Sequence, residues 1–182
     1  TELAFSRDGI QFERLSSRPQ LIALGEADSW DDGMVFGTGW VDVGDEWWFY
    51  YSGYDGPHGD PASRQPGIGL ATVKKERLIS LHGPRDGGVV ITRQLRWQGE
   101  RLFLNADASQ GEIKVRISDG KRKVLEGFDY QDCVPLHADS LRHEVKWNNK
   151  SMTVLQGEII RLEIYLRNAD LFTFHAGTET AE

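Results

Sequence analysis

The chain has 182 residues, 39% hydrophobic and 27% charged, enough for one large domain or two small ones with a sizeable core. Its 21 Lys+Arg against 28 Asp+Glu give a formal charge of −7, which excludes the basic footprint that nucleic acid or an anionic lipid surface demands. Apolar runs stay far short of the ~20 residues a membrane-spanning helix requires, and a lone cysteine, Cys133, excludes an internal disulfide framework and a cysteine-based zinc site. Neither nucleic acid nor a membrane is therefore expected as a partner. Cys133, in Asp-Cys-Val-Pro, reads as a packed thiol rather than a nucleophile.

Thr1–Phe5 begins as a strand and lacks the charged-then-apolar pattern of a secretory leader. Trp40-Val41-Asp42-Val43, the turn Gly44-Asp45, the aromatic run Glu46–Ser52 and the small-residue strand Gly67–Val73 predict a three-stranded meander. The aromatic run reads as a strand buried on both faces. Between the last two strands, Gly53–Pro61 is too long and too rich in Gly and Pro for a tight hairpin, and long loops on rigid sheets often carry function.

Residues 81–88, Leu-His-Gly-Pro-Arg-Asp-Gly-Gly, read as a boundary or an inter-strand crossing. Before residue 81 lie 7 basic and 13 acidic residues with 11 of the 19 aromatics, so the two halves differ in chemistry. Further strands follow at Val89–Thr92, Arg101–Ala106, Glu112–Ser118, Leu141–Trp147, Ile160–Leu166 and Leu171–Phe174, with a short helical turn ending at Leu155-Gln156-Gly157. Ile113/Val115/Ile117 and Leu162/Ile164/Leu166 alternate with polar residues, which predicts one core face and one wet face per strand. The fold class expected is all-β: one antiparallel propeller-like blade or meander over 1–80, then an antiparallel, jelly-roll-like β-sandwich over 81–177, with 178–182 a frayed tail.

Taken in order, Ser29-Trp30-Asp31-Asp32-Gly33-Met34-Val35, Trp47-Trp48-Phe49-Tyr50-Tyr51-Ser52-Gly53 and Gly67-Ile68-Gly69-Leu70-Ala71-Thr72 resemble one blade of a five-bladed β-propeller glycoside hydrolase. The resemblance is to the arabinanase/β-xylosidase and invertase/levanase type and to the related mannoside phosphorylases. Leu3–Phe12, with Ser6-Arg7-Asp8-Gly9, is similar to the outer hairpin ending a preceding blade, and Phe103–Ala108 with Leu141–Val145 to the sandwich that trails such propellers. The resemblance implies the C-terminal part of a longer enzyme, or a short relative without the catalytic blades. It also implies carbohydrate as ligand, missing blades or self-association as partners, and for a full-length protein a secreted or periplasmic location.

Glycoside hydrolysis needs two carboxyl groups about 5–5.5 Å apart for retention or 6.5–9.5 Å for inversion. Asp31 and Asp32, opening the presumed innermost strand, are the candidate catalytic carboxylates. As neighbours on a strand they face opposite ways, so at most one addresses substrate; a solvated turn or a cap on backbone amides is the competing reading. Trp30, Tyr54 and His58 are the candidate substrate-binding residues. By the resemblance, His58 with Asp55, and Asp60 beside them, would hold a hydrated cation such as Ca²⁺, against a merely solvated loop. No other cofactor is expected. Trp97 and Trp147 could form a carbohydrate-binding face on the second half, the basis of a rival reading as a non-catalytic binding or structural module.

Overall fold

The computed structural model describes residues 1–59 and 64–177. Among them the chain is strands and connections apart from one 3₁₀ helix, Met152–Leu155, whose Thr153 N–H donates to the Ser151 hydroxyl. None of their helices is long and apolar enough to cross a membrane. The fold divides into two compact units, Thr1–Leu78 and Ile79–Glu182, and the tail expected at 178–182 lies outside the described residues.

In the first unit β1 (Ala4–Ser6) and β2 (Phe12–Arg14) form an antiparallel hairpin. Its tip is tied by Asp8, whose Oδ1 accepts the amides of Ile10 and Gln11 at 2.8 Å each. Those two bonds hold the Asp8 carboxyl below its usual range. β3 (Met34–Val43), β4 (Glu46–Tyr54) and β5 (Pro66–Lys74) form an antiparallel sheet in the order β3-β4-β5. Gly44 at φ +56° takes the left-handed position of the turn that joins the first two. The register pairs Trp40 with Phe49, Tyr50 with Leu70 and Gly53 with Gly67.

β4 is not buried on both faces. Only Phe49 and Gly53 are fully buried in it, because Phe36, Val41, Tyr50, Ile68 and Leu70, which the register puts on one side of the sheet, are all exposed. The opposite side, carrying Val35, Trp40, Phe49 and Tyr51, receives the segment that precedes β3.

The second unit holds β6 (Leu81–Gly83), β7 (Gly88–Ile91), β8 (Leu95–Arg96), β9 (Arg101–Asp107), β10 (Glu112–Asp119), β11 (Asp139–Val145), β12 (Ile159–Arg167) and β13 (Ala169–Gly177). They make two open antiparallel sheets, β10-β12-β7 with β8 also on β12, and β11-β9-β13-β6. Leu102, Leu104 and Ala106 from one sheet join Ile113, Val115, Ile117, Leu162, Ile164 and Leu166 from the other in a single buried cluster. Each buried aliphatic side chain there contributes roughly 1.5–3 kcal/mol of transfer free energy.

Two expectations for this half are corrected. The far face of β10 and β12 is not wet throughout: Glu163 is 1% exposed and Ser118 is fully buried. The chain after β10 returns alongside it, with Leu125 N–H donating to the Ile117 carbonyl and Ile117 N–H to that of Phe128, and Tyr130 closes over Arg116. Nor do Trp97 and Trp147 form a binding face. They are 3% and 5% exposed, packed in the core, and the Trp147 indole N–H donates to the Val115 carbonyl at 3.0 Å.

Candidate functional site

A pair of glycines builds the site that Trp30 occupies. Gly53 and Gly67 are cross-strand partners on β4 and β5, and neither needs an unusual backbone conformation. Their role is clearance. A Cβ at Gly53 would fall 2.5 Å from Trp30 Cζ3, and one at Gly67 would run into the same six-membered ring at Cε3. The indole therefore lies directly on the bare backbone of the two strands. The next pair along, Tyr51 and Gly69, repeats the device, with the Tyr51 ring lying where a Gly69 side chain would stand. Aromatic cover of a glycine pair in a sheet is a known stabilising arrangement.

Trp30 and Tyr51 then stack, with ring centroids 5.8 Å apart and planes inclined by 20°. Asp31 locks the stack: Tyr51 Oη donates to Asp31 Oδ2 at 2.8 Å and Ser29 Oγ donates to Oδ1 at 3.0 Å. Accepting from the phenol, and being charged, Asp31 pushes the Tyr51 hydroxyl above its usual range, with partial burial adding to the effect. Asp31 is itself buried, and Gly25 is needed beside it, since a Cβ there would collide with the Asp31 carboxylate and the Ser29 hydroxyl. Despite these supports Trp30 remains 42% exposed: a large aromatic surface is open while the ring is fixed.

The other candidates do not converge on this point. Asp32 is half-buried and its Oδ2 accepts the Asp28 amide at 2.8 Å, across a turn in which Asp28 holds φ +66°. Tyr54 lies on the opposite side of the sheet, edge-on to Phe36 at 6.2 Å with the Arg64 guanidinium 5.3 Å from its ring centre. Asp55 Oδ1 accepts the Gln65 amide at 2.6 Å, and the His58 carbonyl accepts from Arg64 at 3.3 Å. No three His, Cys, Asp or Glu side chains among the described residues are grouped to hold a metal ion, and a guanidinium is what stands next to the His58 backbone. Asp60 lies outside the described residues.

Of the candidates singled out in the sequence, the structure brings Trp30 and Asp31 together, with Ser29, Tyr51 and the seating glycines, which the sequence did not single out as candidates. The signal was available in the spacing of Gly67 and Gly69, two bare positions on one face of a strand, opposite Gly53. No family model matches the chain, and no curated protein or solved structure does either.

Proposed function

We propose that the chain is the C-terminal part of a glycoside hydrolase-like protein acting on oligosaccharide or polysaccharide, not catalytic alone. In this reading the meander is one propeller blade, the two sheets of the second unit are its trailing β-sandwich, and Trp30 is the sugar-stacking residue. The observation that carries it is the exposed Trp30 ring, immobilised on Gly53 and Gly67 and stacked on Tyr51. A flat aromatic held rigidly loses little conformational entropy when the apolar face of a pyranose or furanose settles on it.

Asp31 serves as a positioning residue in this scheme, both of its oxygens engaged with hydroxyls. Asp32 is the carboxylate left to address substrate, as half of a pair whose partner another blade would supply. Binding of arabinan- or xylan-derived oligosaccharides is expected to be lost, at least about tenfold, in Trp30→Ala. Asp31→Asn should weaken it less, because the amide still accepts from Tyr51. Isothermal titration reads both effects, and undiminished binding by Trp30→Ala would remove the ring from the site. Release of nitrophenol from aryl glycosides by the chain alone would contradict the assignment of a non-catalytic part.

The uncovered side of the meander fits the same reading. Phe36, Val41, Tyr50, Ile68 and Leu70 form an apolar surface of the kind that marks an interface, here the seat of a neighbouring blade or a second copy. The chain alone is expected to bind a hydrophobic dye and to self-associate in light scattering. Ile68→Lys with Leu70→Lys should suppress both, and a monodisperse, dye-silent wild-type monomer would count against the blade.

A further inference from the structure

A cleft of about 370 Å³ opens in the second unit where the start of β9, the end of β11 and the segment running into the 3₁₀ helix meet. Val145, Trp147 and Met152, all buried core residues, reach its lining only by their edges. One wall is a fixed ionic cluster: Glu144 Oε1 lies 3.6 Å from Arg101 Nε, and Oε2 lies 3.2 Å from Lys146 Nζ. Ser151 and Thr153 also line it, Thr153 Oγ1 donating to Ser151 Oγ at 2.9 Å.

Lys150 completes the lining. Its backbone bridges to Trp147 across the turn. Its stem lies over Gly127, at φ +82°, where a Cβ would fall 2.7 Å from Lys150 Cγ and Cε. The stem is thus held down on bare backbone. No hydrogen-bond or ion-pair partner meets the Lys150 ammonium among the described residues, whereas Glu144 already has its two cations.

We propose that this cleft binds one anionic sugar unit, a hexuronate, with its carboxylate on Lys150 and its hydroxyls on the Glu144–Arg101 pair. The volume suits one or two sugar rings rather than a longer chain segment. A polyol uses donors and acceptors together, which a wall alternating carboxylate and guanidinium supplies and an inorganic anion cannot exploit. The unpartnered ammonium selects the carboxylate. None of these residues belongs to the Trp30 site, so each assignment stands or falls alone.

Isothermal titration of the full chain with digalacturonate, its methyl ester and inorganic phosphate tests the site. Digalacturonate is expected to bind, with the ester about tenfold weaker. Lys150→Gln, which keeps the stem over Gly127, should lose a similar factor; Lys150→Arg should retain binding, and Lys121→Gln should leave it unchanged. A melting curve on Lys150→Gln that overlays the wild type shows that the loss is local. Equal binding of acid and ester, undiminished binding by Lys150→Gln, phosphate binding as tight as digalacturonate, or no binding of digalacturonate would each overturn the proposal.

Discussion

Glu163→Ala is expected to lower the stability of the second unit by about 2–3 kcal/mol, a drop of roughly 10–20 °C in Tm for a unit of about 100 residues. Glu163 is almost wholly buried on the outer face of β12, opposite Arg116 on β10. Arg116 Nη2 donates to Glu163 Oε2 at 2.8 Å and Nε to the same oxygen at 3.0 Å, while Ser118 Oγ donates to Oε1 at 2.7 Å. Removing the carboxylate leaves the guanidinium, which lies over the Tyr130 ring 4.7 Å from its centre, with the Asp129 contact at 3.9 Å in place of two hydrogen bonds, and leaves the buried Ser118 hydroxyl without its acceptor. Arg116 is about one-third accessible, so water recovers part of the loss, and the figure stays below that of a wholly buried pair. Thermal unfolding of wild type and variant measures it; a shift under 3 °C would mean that the pair is already screened.

The same carboxylate gives the fold a pH dependence of definite sign. Burial alone would push the Glu163 acid up, but the hydrogen bonds from Ser118 and Arg116, with the Arg116 charge, outweigh it, and the acid sits below its ordinary 4.5. Glu112 shifts the same way, burial being overcome by Arg167 and Lys114. A depressed folded value means that the native state holds its proton less tightly than the unfolded chain. The contribution is therefore complete above the unfolded value near 4.5 and is lost as pH falls through the lower folded value. Glu163→Gln should flatten this acid limb of a stability-against-pH curve while leaving the Glu112 part in place. An unchanged limb would assign acid sensitivity to other groups.

The strands were legible because period-two alternation is a local property. Ile113/Val115/Ile117 and Leu162/Ile164/Leu166 announce their core face in any context, and they are buried as read. Burial on the second face depends on what the chain does elsewhere. Nothing in Arg161-Leu162-Glu163-Ile164 says that Arg116 and Ser118 close on Glu163, or that residues 125–130 return alongside β10 and set Tyr130 over Arg116, so it reads as solvated. β6 and β8, of three and two residues, are too short to show a period. The aromatic run of β4 read as doubly buried for the opposite reason: composition reports affinity for apolar cover, and Tyr50 is left 46% exposed. At the site, Trp30 and Asp31 stood out as chemistry-bearing types beside a turn. The fact that Asp31 orients Tyr51, while Tyr54 points to the other side of the sheet, follows from register, which the sequence constrains only through its turns.

Register also makes the sharpest test of the Trp30 site. Gly67→Val places a branched side chain where the indole now lies, and the strand backbone, paired through all nine residues of β5 with β4, has no freedom to yield. Trp30 must leave. With it go the stack on Tyr51 and the cover over Gly53, an overpacking cost of about 1–3 kcal/mol with the lost aromatic pair adding roughly 1 kcal/mol. Saccharide binding should vanish with the ring. Ile68→Val, one residue along the same strand but on the open side and 82% exposed, should change neither stability nor binding by a measurable amount. Urea denaturation followed by tryptophan fluorescence gives the stabilities, and titration gives the binding. A valine as innocuous at 67 as at 68 would mean that the indole does not rest on the glycine pair in solution. A Gly67→Val chain that unfolds more easily yet binds sugar normally would separate the packing of Trp30 from its proposed work.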